Sequence, residues 1–599
     1  RMSVARDSFQ VDLRGMVDLL SHHLYSSPRV YLRELVQNSA DAITARAAVE
    51  PDCPRRIEIV PADVADDGCL HIHDTGIGLD AESIRSVLAT IGASTKRDEL
   101  GFARGSFLGQ FGIGLLSCFL VCDEIVLHTR RVGAEQTWTW SGAADGTYTV
   151  TPAQTPRADP GTEVVLRPRG IEPLLGWSQV GALAELFAAY LPVELIVHTP
   201  DGPRDVGGRT FPWEDPTLTG GRRREAAERL SDDLLGIRPL DVIELADPVT
   251  GVHGFAFVTP APAGRRAHHR LYAKRMLVGE AVEAILPDWA FFVRAVLDGD
   301  RLELTASRES LQDNEALAET RERLGAAIRR WLLRTAATDP DRMRRFLQVH
   351  HLGAKAMAAE DDEMLDIVAG LLPWETTRGQ MSLADFAALD PVLRYAESIE
   401  DFRQIAPLAS VGGVAVLNAG YAYDGELIRR WLARHPGSDA RRIAPSELST
   451  GFEPVDPAER ARFARLLATA QEALDRTGVV ADVRRFAPED LQAVLLIDRD
   501  GRRERDRAEV REDLDGPWAA LLDATARPQA KASFVVNAAN LTVRRLAEHP
   551  DATLQRHVIE ALYAHALIAG QHPLRPVDSA LVSRALPNLI DRALDGRPT

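Results

Sequence analysis

The sequence predicts a multidomain α/β protein, and three observations support this prediction. Helical and strand patterns alternate over residues 1–210, as in a mixed α+β sandwich. The chain has 599 residues, more than the size at which a single hydrophobic core keeps growing. Apolar residues make up 45% and charged residues 26% of the sequence, which is typical of globular proteins. Several separate cores are therefore expected.

The first distinctive element is a helix predicted around residues 31–43. Apolar or small residues recur in it at helical spacing, namely Leu32, Leu35, Val36, Ser39 and Ile43. Glu34, Asn38 and Asp41 lie three to four residues apart, so two carboxylates and an amide point the same way. An ordinary solvated helix face could carry the same residues, and the helix alone therefore does not define a site.

A predicted strand and a glycine-containing turn follow the helix. The alternating residues 69–73 lead to Asp74 at the end of the strand, and Gly76 and Gly78 come next. Glycines allow the backbone to approach a ligand closely. A carboxylate at this point can accept a hydrogen bond from an amino group such as that of adenine.

Two later segments complete a predicted nucleotide pocket. Residues 105–114 contain four glycines before the apolar run 115–121, and such a loop before a helix offers backbone N–H groups to a polyphosphate. Residues 161–166 form a turn into a strand, with the Thr162 hydroxyl at its start. Each segment is a weak signal, but the four in this order predict a nucleotide-binding domain.

The middle of the chain predicts a second α/β domain. Pro and Gly at 199–203 and a loop-like sequence to residue 221 place a boundary between 200 and 225. We therefore assign residues 1–210 to the nucleotide-binding domain and 225–480 to the middle domain. Its predicted elements are strands at 254–258, 271–278 and 414–417 and a long helix at 314–333.

Residues 481–599 predict a mainly helical C-terminal domain. After a strand at 534–537 and a helix at 541–547, an apolar stripe is formed by Leu554, Val558, Ala561, Leu562, His565 and Ile568. Gly570 suits a helix C-terminal cap, and a last helix is predicted from Ser579 to Leu594, with Asp578 or Ser579 as its N-cap. The two helices could complete a local three-helix core or cover a partner surface.

Composition limits the classes of partner. The net charge of −17 disfavours non-specific nucleic-acid binding, which needs a basic surface. The four cysteines, Cys53, Cys69, Cys118 and Cys122, lack the paired spacing of a zinc site. No apolar run is long enough to cross a bilayer, and the N-terminus has no secretory pattern. We therefore expect a cytoplasmic protein without nucleic-acid or membrane partners.

Together, the four nucleotide segments resemble the Bergerat-type ATP-binding fold that gyrase, heat-shock protein 90, histidine kinases and MutL share. Their context resembles the heat-shock protein 90 chaperones of the stress response, in the bacterial HtpG form. The segments that carry this resemblance are Phe9–Val11, Leu24–Ser27, Tyr31–Leu35, Gly109–Gly114, Ser117 and Phe119–Val121. The resemblance implies an ATP-dependent chaperone that acts as a homodimer on partly folded client proteins.

The resemblance also implies roles for individual residues. Glu34 would polarise the attacking water, and Asn38 would supply a side-chain oxygen to Mg²⁺. Asp74, supported by Thr162, would hold the adenine amino group, and Asp41 would brace the pocket. The remaining residues implied to contact ATP are Gly76, Gly78, Leu79, Ser94, Gly109, Gln110, Phe111, Gly112, Ile113 and Gly114.

The cation for the γ-phosphate would come from the middle domain. Residues 307–312 match the family's catalytic loop, so Arg308 would contact the γ-phosphate and Gln312 would assist. Hydrolysis would then require two domains to dock, and the weak turnover would be limited by closure of a lid at 92–107. The C-terminal helices would form the dimer and raise the effective concentration of the N-terminal domains.

Three departures from the family pattern affect the pocket. Leu79 replaces a methionine, Ala93 replaces a lysine at the start of the lid, and Leu115-Leu116 replaces an aromatic pair. Loss of the lysine weakens the expected grip on phosphate, and the leucines alter the adenine end. Inhibitors that fit the family pocket are therefore expected to fit this one poorly.

Two other functions use the same nucleotide fold. The first is a nucleotide-gated scaffold that binds ATP but scarcely hydrolyses it, which the altered lid favours. The second is a histidine kinase with His22 or His23 as the phosphate acceptor, although these residues precede the pocket in a helix that the chaperones also have. A MutL-like or gyrase-like clamp is disfavoured by the acidic chain.

Overall fold

The computed structural model describes residues 7–8, 27–86, 113–145, 147–262, 268–305, 309–445, 447–448, 452–497 and 532–595. The chain divides into two compact units, Arg1–Leu332 and Leu333–Thr599. The predicted boundaries, near 210–225 and at 480, divide it more finely and stay predictions. The predicted mixture of helices and sheets in several domains is confirmed.

A nine-stranded sheet begins the first unit. Its strands are β1 (Asp7–Ser8), β2 (Arg56–Val60), β3 (Leu70–Asp74), β4 (Glu124–Arg130), β5 (Thr137–Ala143), β6 (Thr147–Pro152), β7 (Gly161–Arg167), β8 (Glu194–Thr199) and β9 (Gly202–Asp205). They follow the order β1-β6-β5-β4-β7-β3-β2-β8-β9, and every neighbouring pair is antiparallel except the parallel pair β2 and β8. Strands β3 and β7, which carry two predicted site segments, are therefore neighbours.

Helices pack on the sheet of the first unit. They are α1 (Val30–Val49), α2 (Ile113–Leu116, continued by a 3₁₀ turn at Ser117–Leu120) and α3 (Trp177–Ala188). The predicted helix at 31–43 is thus confirmed as part of α1. All five members of its proposed buried stripe are buried, with Leu32, Leu35, Val36 and Ile43 in the hydrophobic core and Ser39 beside them. This burial fixes which face of α1 meets the sheet.

A second sheet follows in the same unit. Its strands and the helices around it are β10 (Asp241–Asp247), β11 (Val252–Val258), β12 (His269–Ala273), β13 (Met276–Val282), β14 (Val293–Gly299), α4 (Gly220–Leu235) and α5 (Glu315–Thr338). The strand order is β10-β11-β14-β12-β13. The predicted helix at 314–333 is confirmed as α5, whose first turn is capped by the Asn314 side chain, which accepts a hydrogen bond of 2.9 Å from the Leu317 amide.

The single strand predicted at 271–278 is wrong, because this segment is a hairpin. Strands β12 and β13 pair through Ala273 and Met276 around a two-residue turn. The turn residues, Lys274 and Arg275, both have positive φ values, 49° and 65°. A tight hairpin needs this conformation, which usually selects glycine or asparagine. The sequence carries neither residue here and therefore gave no turn signal.

The second unit contains two smaller sheets. The first consists of β15 (Trp374–Thr376), β16 (Gly379–Met381), β17 (Val392–Ala396), β18 (Leu417–Asn418) and β19 (Asp439–Arg442), and the second of β20 (Glu453–Pro454), β21 (Val479–Arg485), β22 (Ala493–Leu496) and β23 (Ala532–Asn537). Their orders are β16-β15-β18-β17-β19 and β20-β21-β23-β22. The strand predicted at 534–537 lies within β23, whereas the one predicted at 414–417 begins only at Leu417.

The helices of the second unit are α6 (Pro340–Ala358), α7 (Asp362–Leu371), α8 (Leu383–Ala387), α9 (Ile399–Val411), α10 (Asp424–Arg434), α11 (Pro457–Ala473), α12 (Leu541–Glu548), α13 (Ala552–Ala569) and α14 (Pro576–Asp595). Gly570 caps α13 as predicted. Helix α14 begins three residues before the predicted start. Asp578 is the third residue of this helix, and its carboxylate accepts hydrogen bonds from the backbone amide and the side chain of Arg575 and from the Tyr563 hydroxyl.

The apolar stripe predicted for α13 lies at the edge of the core, against which Val558 and Leu562 pack. Its members are half-buried or, at His565 and Ile568, exposed. The buried apolar residues of the core are Ile559, Tyr563 and Ala566, each one position after a stripe residue, and Leu567, one position before Ile568. One residue corresponds to a rotation of about 100° around a helix, so the predicted stripe borders the buried face instead of forming it.

Candidate functional site

A cavity lies between α1 and the nine-stranded sheet of the first unit. Its volume is about 130 Å³. The lining comes from α1, from the turn after β3 and from strands β4, β5 and β7, and its residues are Leu35, Asn38, Ser39, Ala42, Ala45, Asp74, Ile77, Gly78, Leu79, Ile84, Leu115, Leu127, Thr129, Trp140, Thr162 and Val164. The mostly apolar wall with a few polar groups is typical of a small-molecule site.

Asp74 is the central polar group of this cavity. One carboxylate oxygen, Oδ1, accepts hydrogen bonds from the backbone amides of Gly76 (2.8 Å) and Thr162 (3.1 Å). The other oxygen, Oδ2, accepts one from the Ser39 hydroxyl at 3.3 Å. Asp74 is buried, and desolvation raises its pKa to about 6 although these three hydrogen bonds oppose the shift. A ligand that donates to Oδ2 would stabilise the ionised carboxylate.

A hydroxyl pair on neighbouring strands supports the turn beside Asp74. Thr129 on β4 lies opposite Thr162 on β7, and their hydroxyl oxygens are 2.9 Å apart. The Thr129 hydroxyl also accepts a hydrogen bond of 2.9 Å from the Leu79 amide. The pair therefore connects the start of β7 to the turn that follows β3, and it positions both segments around the cavity.

Gly78 is required by the geometry of that turn. Its φ of +67° lies in the left-handed region that other residues rarely adopt. A side chain at this position would also collide with the Arg130 carbonyl. The Gly76 amide supports Asp74, and a side chain at Gly76 would lie 2.5 Å from the Ala42 side chain of α1. Both glycines therefore let the backbone of the turn pack closely, Gly78 against the Arg130 carbonyl and Gly76 against Ala42.

Glu34 is buried at the edge of this region. Its Oε1 lies 3.2 Å from Nη2 of the buried Arg33, whose guanidinium is 5.9 Å from the centre of the Phe187 ring. A side chain at Gly114 would come within 2.6 Å of Glu34 Oε2, so the first residues of α2 lie against this carboxylate. Glu34 thus has a cation on one side and close-packed backbone on the other.

A second cavity in the same unit lies between α1 and the second sheet. Its volume is about 380 Å³, and its wall contains Arg33 and Gln37 of α1, the hairpin around Lys274, and Gln312. The Gln312 side chain donates a hydrogen bond of 3.0 Å to the Leu304 carbonyl. Arg33 lines this second cavity, and Leu35 lines the first cavity. Glu34 lies between these two residues in the chain.

The structure gathers some predicted site residues and leaves others apart. Asn38, Asp74, Gly78, Leu79 and Thr162 line one cavity, as the sequence predicts for a pocket. Asp41 is half-buried on α1 but does not line it. Gly114 lies against Glu34, and the Ile113 backbone begins α2. Outside the described residues lie Ser94, Gly109, Gln110, Phe111, Gly112, Arg308, His22 and His23.

Sequence reasoning missed three residues of the cavity. Ser39 belongs to the predicted apolar stripe, and a serine among buried positions is the available signal. Thr129 becomes recognisable only when β4 is paired with β7. Trp140 on β5 is almost completely buried, and its indole Nε1 has no hydrogen-bond partner among the described residues. This buried N–H is a donor that a ligand in the cavity could satisfy.

The polar groups of the cavity fit a nucleotide with its magnesium ion. An apolar slot with a buried carboxylate suits the flat adenine base and its amino group. Asn38 contributes an amide oxygen, the hard ligand type that Mg²⁺ takes alongside waters and phosphate oxygens.

Two family models match separate parts of the chain. Residues 25–163 match a model described as "Histidine kinase-, DNA gyrase B-, and HSP90-like ATPase". Residues 255–391 match a model described as "Hsp90 protein". The first range contains Glu34, Asn38, Asp74 and Thr162, and the second contains Gln312. Both halves of the proposed site therefore lie in matched regions.

Individual relatives agree with these matches. The chain is 30% identical to the chaperone protein HtpG of Myxococcus xanthus, over 63% of each protein, and 29% identical to that of Methylobacterium nodulans, over 64% of this chain and 66% of the relative. It thus spans less than two thirds of these relatives. At 26% identity, HtpG of Actinobacillus pleuropneumoniae aligns over 94% of this chain and 96% of its own length. The chain is therefore similar to heat-shock protein 90 chaperones of the HtpG type, in its two matched regions and along most of its length.

Proposed function

We propose that this protein is an ATP-dependent molecular chaperone, in which ATP binding and hydrolysis close a clamp of two copies around partly folded clients. The single observation that carries the proposal is the buried Asp74 carboxylate in the cavity beside α1. It places an acceptor for an amino group in an apolar slot, next to the helix that bears Asn38 and Glu34. The relatives named chaperone protein HtpG support the same function.

In this proposal the adenine base occupies the first cavity. Its amino group donates to Asp74, while Thr162 and Gly78 hold the surrounding turn and Leu79 contacts the base. Asp41 supports the helix behind the pocket. The phosphates extend toward Ser94 and the glycine-rich segment of Gly109, Gln110, Phe111, Gly112, Ile113 and Gly114, where backbone amides stabilise their charge.

Hydrolysis then needs a positioned water and a cation. Glu34 polarises the water, and Asn38 holds Mg²⁺, which would neutralise phosphate charge when bound. Arg308 contacts the γ-phosphate and Gln312 assists it. The second cavity supports the proposal that both segments act on the same phosphate. Gln312 and Arg33 lie on its wall although they are far apart in sequence. ATP would act as a switch because it binds the closed arrangement more tightly.

Replacement of Arg308 tests the proposal. We expect Arg308→Ala to lower the rate of phosphate release at saturating ATP at least 100-fold, because a cation on the transferred phosphate acts mainly in the transition state. The affinity for ATP should change little. Arg301→Ala is the matched control, since Arg301 is an exposed arginine seven residues earlier in the sequence, and it donates to the Val249 carbonyl. Its rate should remain that of the natural chain.

The same measurement separates the alternatives. Equal phosphate release from the natural chain and from Arg308→Ala would rule out the assigned arginine. ATP binding with no release from any variant would identify the nucleotide-gated scaffold. Labelled phosphate retained on the protein would identify a kinase. A chaperone must also suppress light scattering by a thermally unfolding reporter protein, and it must do so differently with ATP and without it.

Dimerisation through the C-terminal helices is the second part of the proposal. Helices α13 and α14 bury one face in their own unit, yet they expose several large apolar residues: Ile568 (61%), Leu586 (63%), Ile590 (48%) and Leu594 (79%). Such a concentration on adjacent helices is typical of an interaction surface. In a homodimer the same patch would serve both copies around a two-fold axis.

We expect the double variant Leu586→Glu, Ile590→Glu to be monomeric at concentrations at which the natural chain is dimeric. Introducing two charges into an apolar contact leaves them unpaired and desolvated, which strongly opposes association. Sedimentation velocity measures the change. Leu352→Glu is the control, because Leu352 is a similarly exposed leucine (56%) on α6. A dimer that survives the double substitution would place the interface elsewhere.

Other predicted properties remain predictions. Within the described residues no helix combines the length and the apolarity needed to span a bilayer. The expected cytoplasmic location and the expected lack of nucleic-acid partners are untested.

A further inference from the structure

Two histidines of β3 lie on the opposite face of the sheet from the nucleotide cavity. Side chains alternate along a strand, and in β3 the residues Leu70, Ile72 and Asp74 are buried beneath α1. His71 and His73 therefore share the outer face, where each is partly exposed. Their rings are nearly parallel, with an angle of 10° and centroids 6.1 Å apart.

A carboxylate on the neighbouring strand completes a group of three. Glu163 on β7 lies directly opposite His73 in the antiparallel pair. Its Oε1 is 3.0 Å from His71 Nδ1 and 3.7 Å from His73 Nε2. The three atoms all lie within 4.8 Å of one another. Ligand atoms around a tetrahedral zinc ion are separated by about 3.3 Å. Side-chain movements that shift these three atoms by a few tenths of an ångström to about 1.5 Å would therefore make room for an ion between them.

A fourth residue orients one of the histidines. Asp67 Oδ1 lies 3.0 Å from His71 Nε2, the ring nitrogen that points away from Glu163. An Nε2–H that donates to this carboxylate leaves a lone pair on Nδ1, toward Glu163 and His73. Carboxylate–histidine pairs of this kind hold the ligand tautomer at zinc sites and raise its basicity. The cluster thus has a supporting residue as well as candidate ligands.

We propose that His71, His73 and Glu163 bind one divalent transition-metal ion, with Zn²⁺ the best match, on the outer face of the nine-stranded sheet. Two imidazoles and one carboxylate are a known ligand set for zinc, and a water would take the fourth position. This site is separate from the magnesium position, since Asn38 lies on the other side of the sheet. It does not depend on the proposed chaperone function.

The metal-free cluster has protonation states that metal binding would change. Burial lowers the pKa of His73, so its imidazole is neutral near pH 7 and can act as a ligand. Hydrogen bonds to Glu163 and Asp67 raise the pKa of His71, and they also lower the pKa values of both carboxyls. The proton on His71 Nδ1 must leave when the metal binds. Without metal, the same residues form a proton-bridged ion pair. The experiment must distinguish this ion pair from a metal-bound site.

Cobalt titration of the full chain distinguishes the two states. The protein should carry no histidine tag, and Co²⁺ at pH 7.5 serves as a visible probe of a four-coordinate site. We expect one Co²⁺ per chain, a saturating visible absorption band and its loss when Zn²⁺ is added. His73→Asn should weaken binding at least tenfold. Asp67→Asn should weaken it by about ten- to 100-fold, the range for residues that support metal ligands.

Two variants control for other ligands. His198→Asn alters another histidine of this sheet, which pairs with Glu58, and should leave the cobalt affinity unchanged. Cys69→Ser should also leave it unchanged, since the thiol pKa is raised by burial and the thiol is a poor ligand. Circular dichroism verifies that each variant is folded. Absent saturation, or equal affinity in the natural chain and in His73→Asn, would overturn the proposal and leave the ion pair.

Discussion

Asp74→Asn is expected to abolish measurable adenine-nucleotide binding while making the nucleotide-free protein more stable. Asparagine keeps the size of the side chain and can still accept the two backbone hydrogen bonds from Gly76 and Thr162. In the Oδ2 position it presents an NH₂ group, which cannot accept a hydrogen bond from adenine. The buried donor on the base would then remain unpaired, so affinity should fall at least 100-fold.

The gain in stability follows from the pKa of the same carboxyl. Burial raises this pKa from 3.8 to about 6, so the folded protein holds the proton more tightly than the unfolded chain does. As pH rises from about 4 to 6, the natural chain loses stability relative to the asparagine variant. Above pH 6 the difference is complete, at about 3 kcal/mol for a shift of two units. Below pH 4 the two proteins should be equally stable.

Ligand binding should depend on pH in the opposite sense. Adenine binding favours the ionised carboxylate, so the affinity of the natural chain should fall as pH decreases below about 6, by up to tenfold per unit. Adenosine is the appropriate probe, because it has no phosphate that titrates in this range. Calorimetric titration from pH 5 to 8 measures the affinity, and urea unfolding over the same range measures stability.

Asp298→Asn is a matched control for both effects. Asp298 is also buried, on β14, and its pKa is likewise raised to about 6 by desolvation. Its carboxylate accepts a hydrogen bond from the Arg275 amide and lies outside the residues that line the cavity. The variant should gain stability above pH 6 but bind nucleotide normally. Normal nucleotide affinity in Asp74→Asn would exclude the assigned adenine acceptor.

Glu34→Gln is expected to stop hydrolysis and preserve nucleotide binding. Glutamine retains the shape of a buried side chain and an oxygen for Arg33, which lies 3.2 Å away, but it cannot polarise water as a carboxylate does. Removal of a general base typically lowers the rate 10²- to 10⁴-fold, and we expect phosphate release to fall within this range. Alanine would be a poorer choice, because it leaves the buried guanidinium without this partner.

The measurement compares phosphate release with nucleotide affinity in the same preparation. Glu124→Gln is the matched control, since Glu124 is a half-buried glutamate of β4 whose Oε2 is 2.9 Å from Arg167. It should hydrolyse ATP at the natural rate. If Glu34→Gln releases phosphate as fast as this control, another group activates the water. Because Glu34→Gln should stay closed around ATP, it is also the variant with which to capture bound clients.

The parts of the site that sequence predicts are local in the chain. The buried stripe of α1 follows from a spacing of three and four residues, and Asp74 follows from alternation that ends before a glycine turn. In both cases, backbone geometry determines the direction of each side chain within a few residues. A short window therefore contains the relevant information, and the helix and the strand exit were found where the sequence places them.

The parts that sequence did not predict depend on pairing between distant segments. Thr129 contacts Thr162 because β7 lies between β3 and β4, an order that no local pattern specifies. The buried face of α13 is shifted by one residue because neighbouring elements, more than the helix itself, decide which side is covered. The turn at Lys274 adopts positive φ without glycine, since pairing of β12 with β13 imposes it. Each error has a tertiary cause.

The strand order has a consequence for synthesis of the protein on the ribosome. Asp74 receives a hydrogen bond from the Thr162 amide, 88 residues later, and β2 pairs in parallel with β8, which ends at Thr199. A nascent chain that has not yet emerged through these residues cannot form the hydrogen bonds that hold Asp74, the proposed adenine acceptor, or complete the sheet. Nucleotide can therefore stabilise this domain only after translation has passed β8. Until then, the unpaired edges of the earlier strands stay exposed and are not stabilised by ligand.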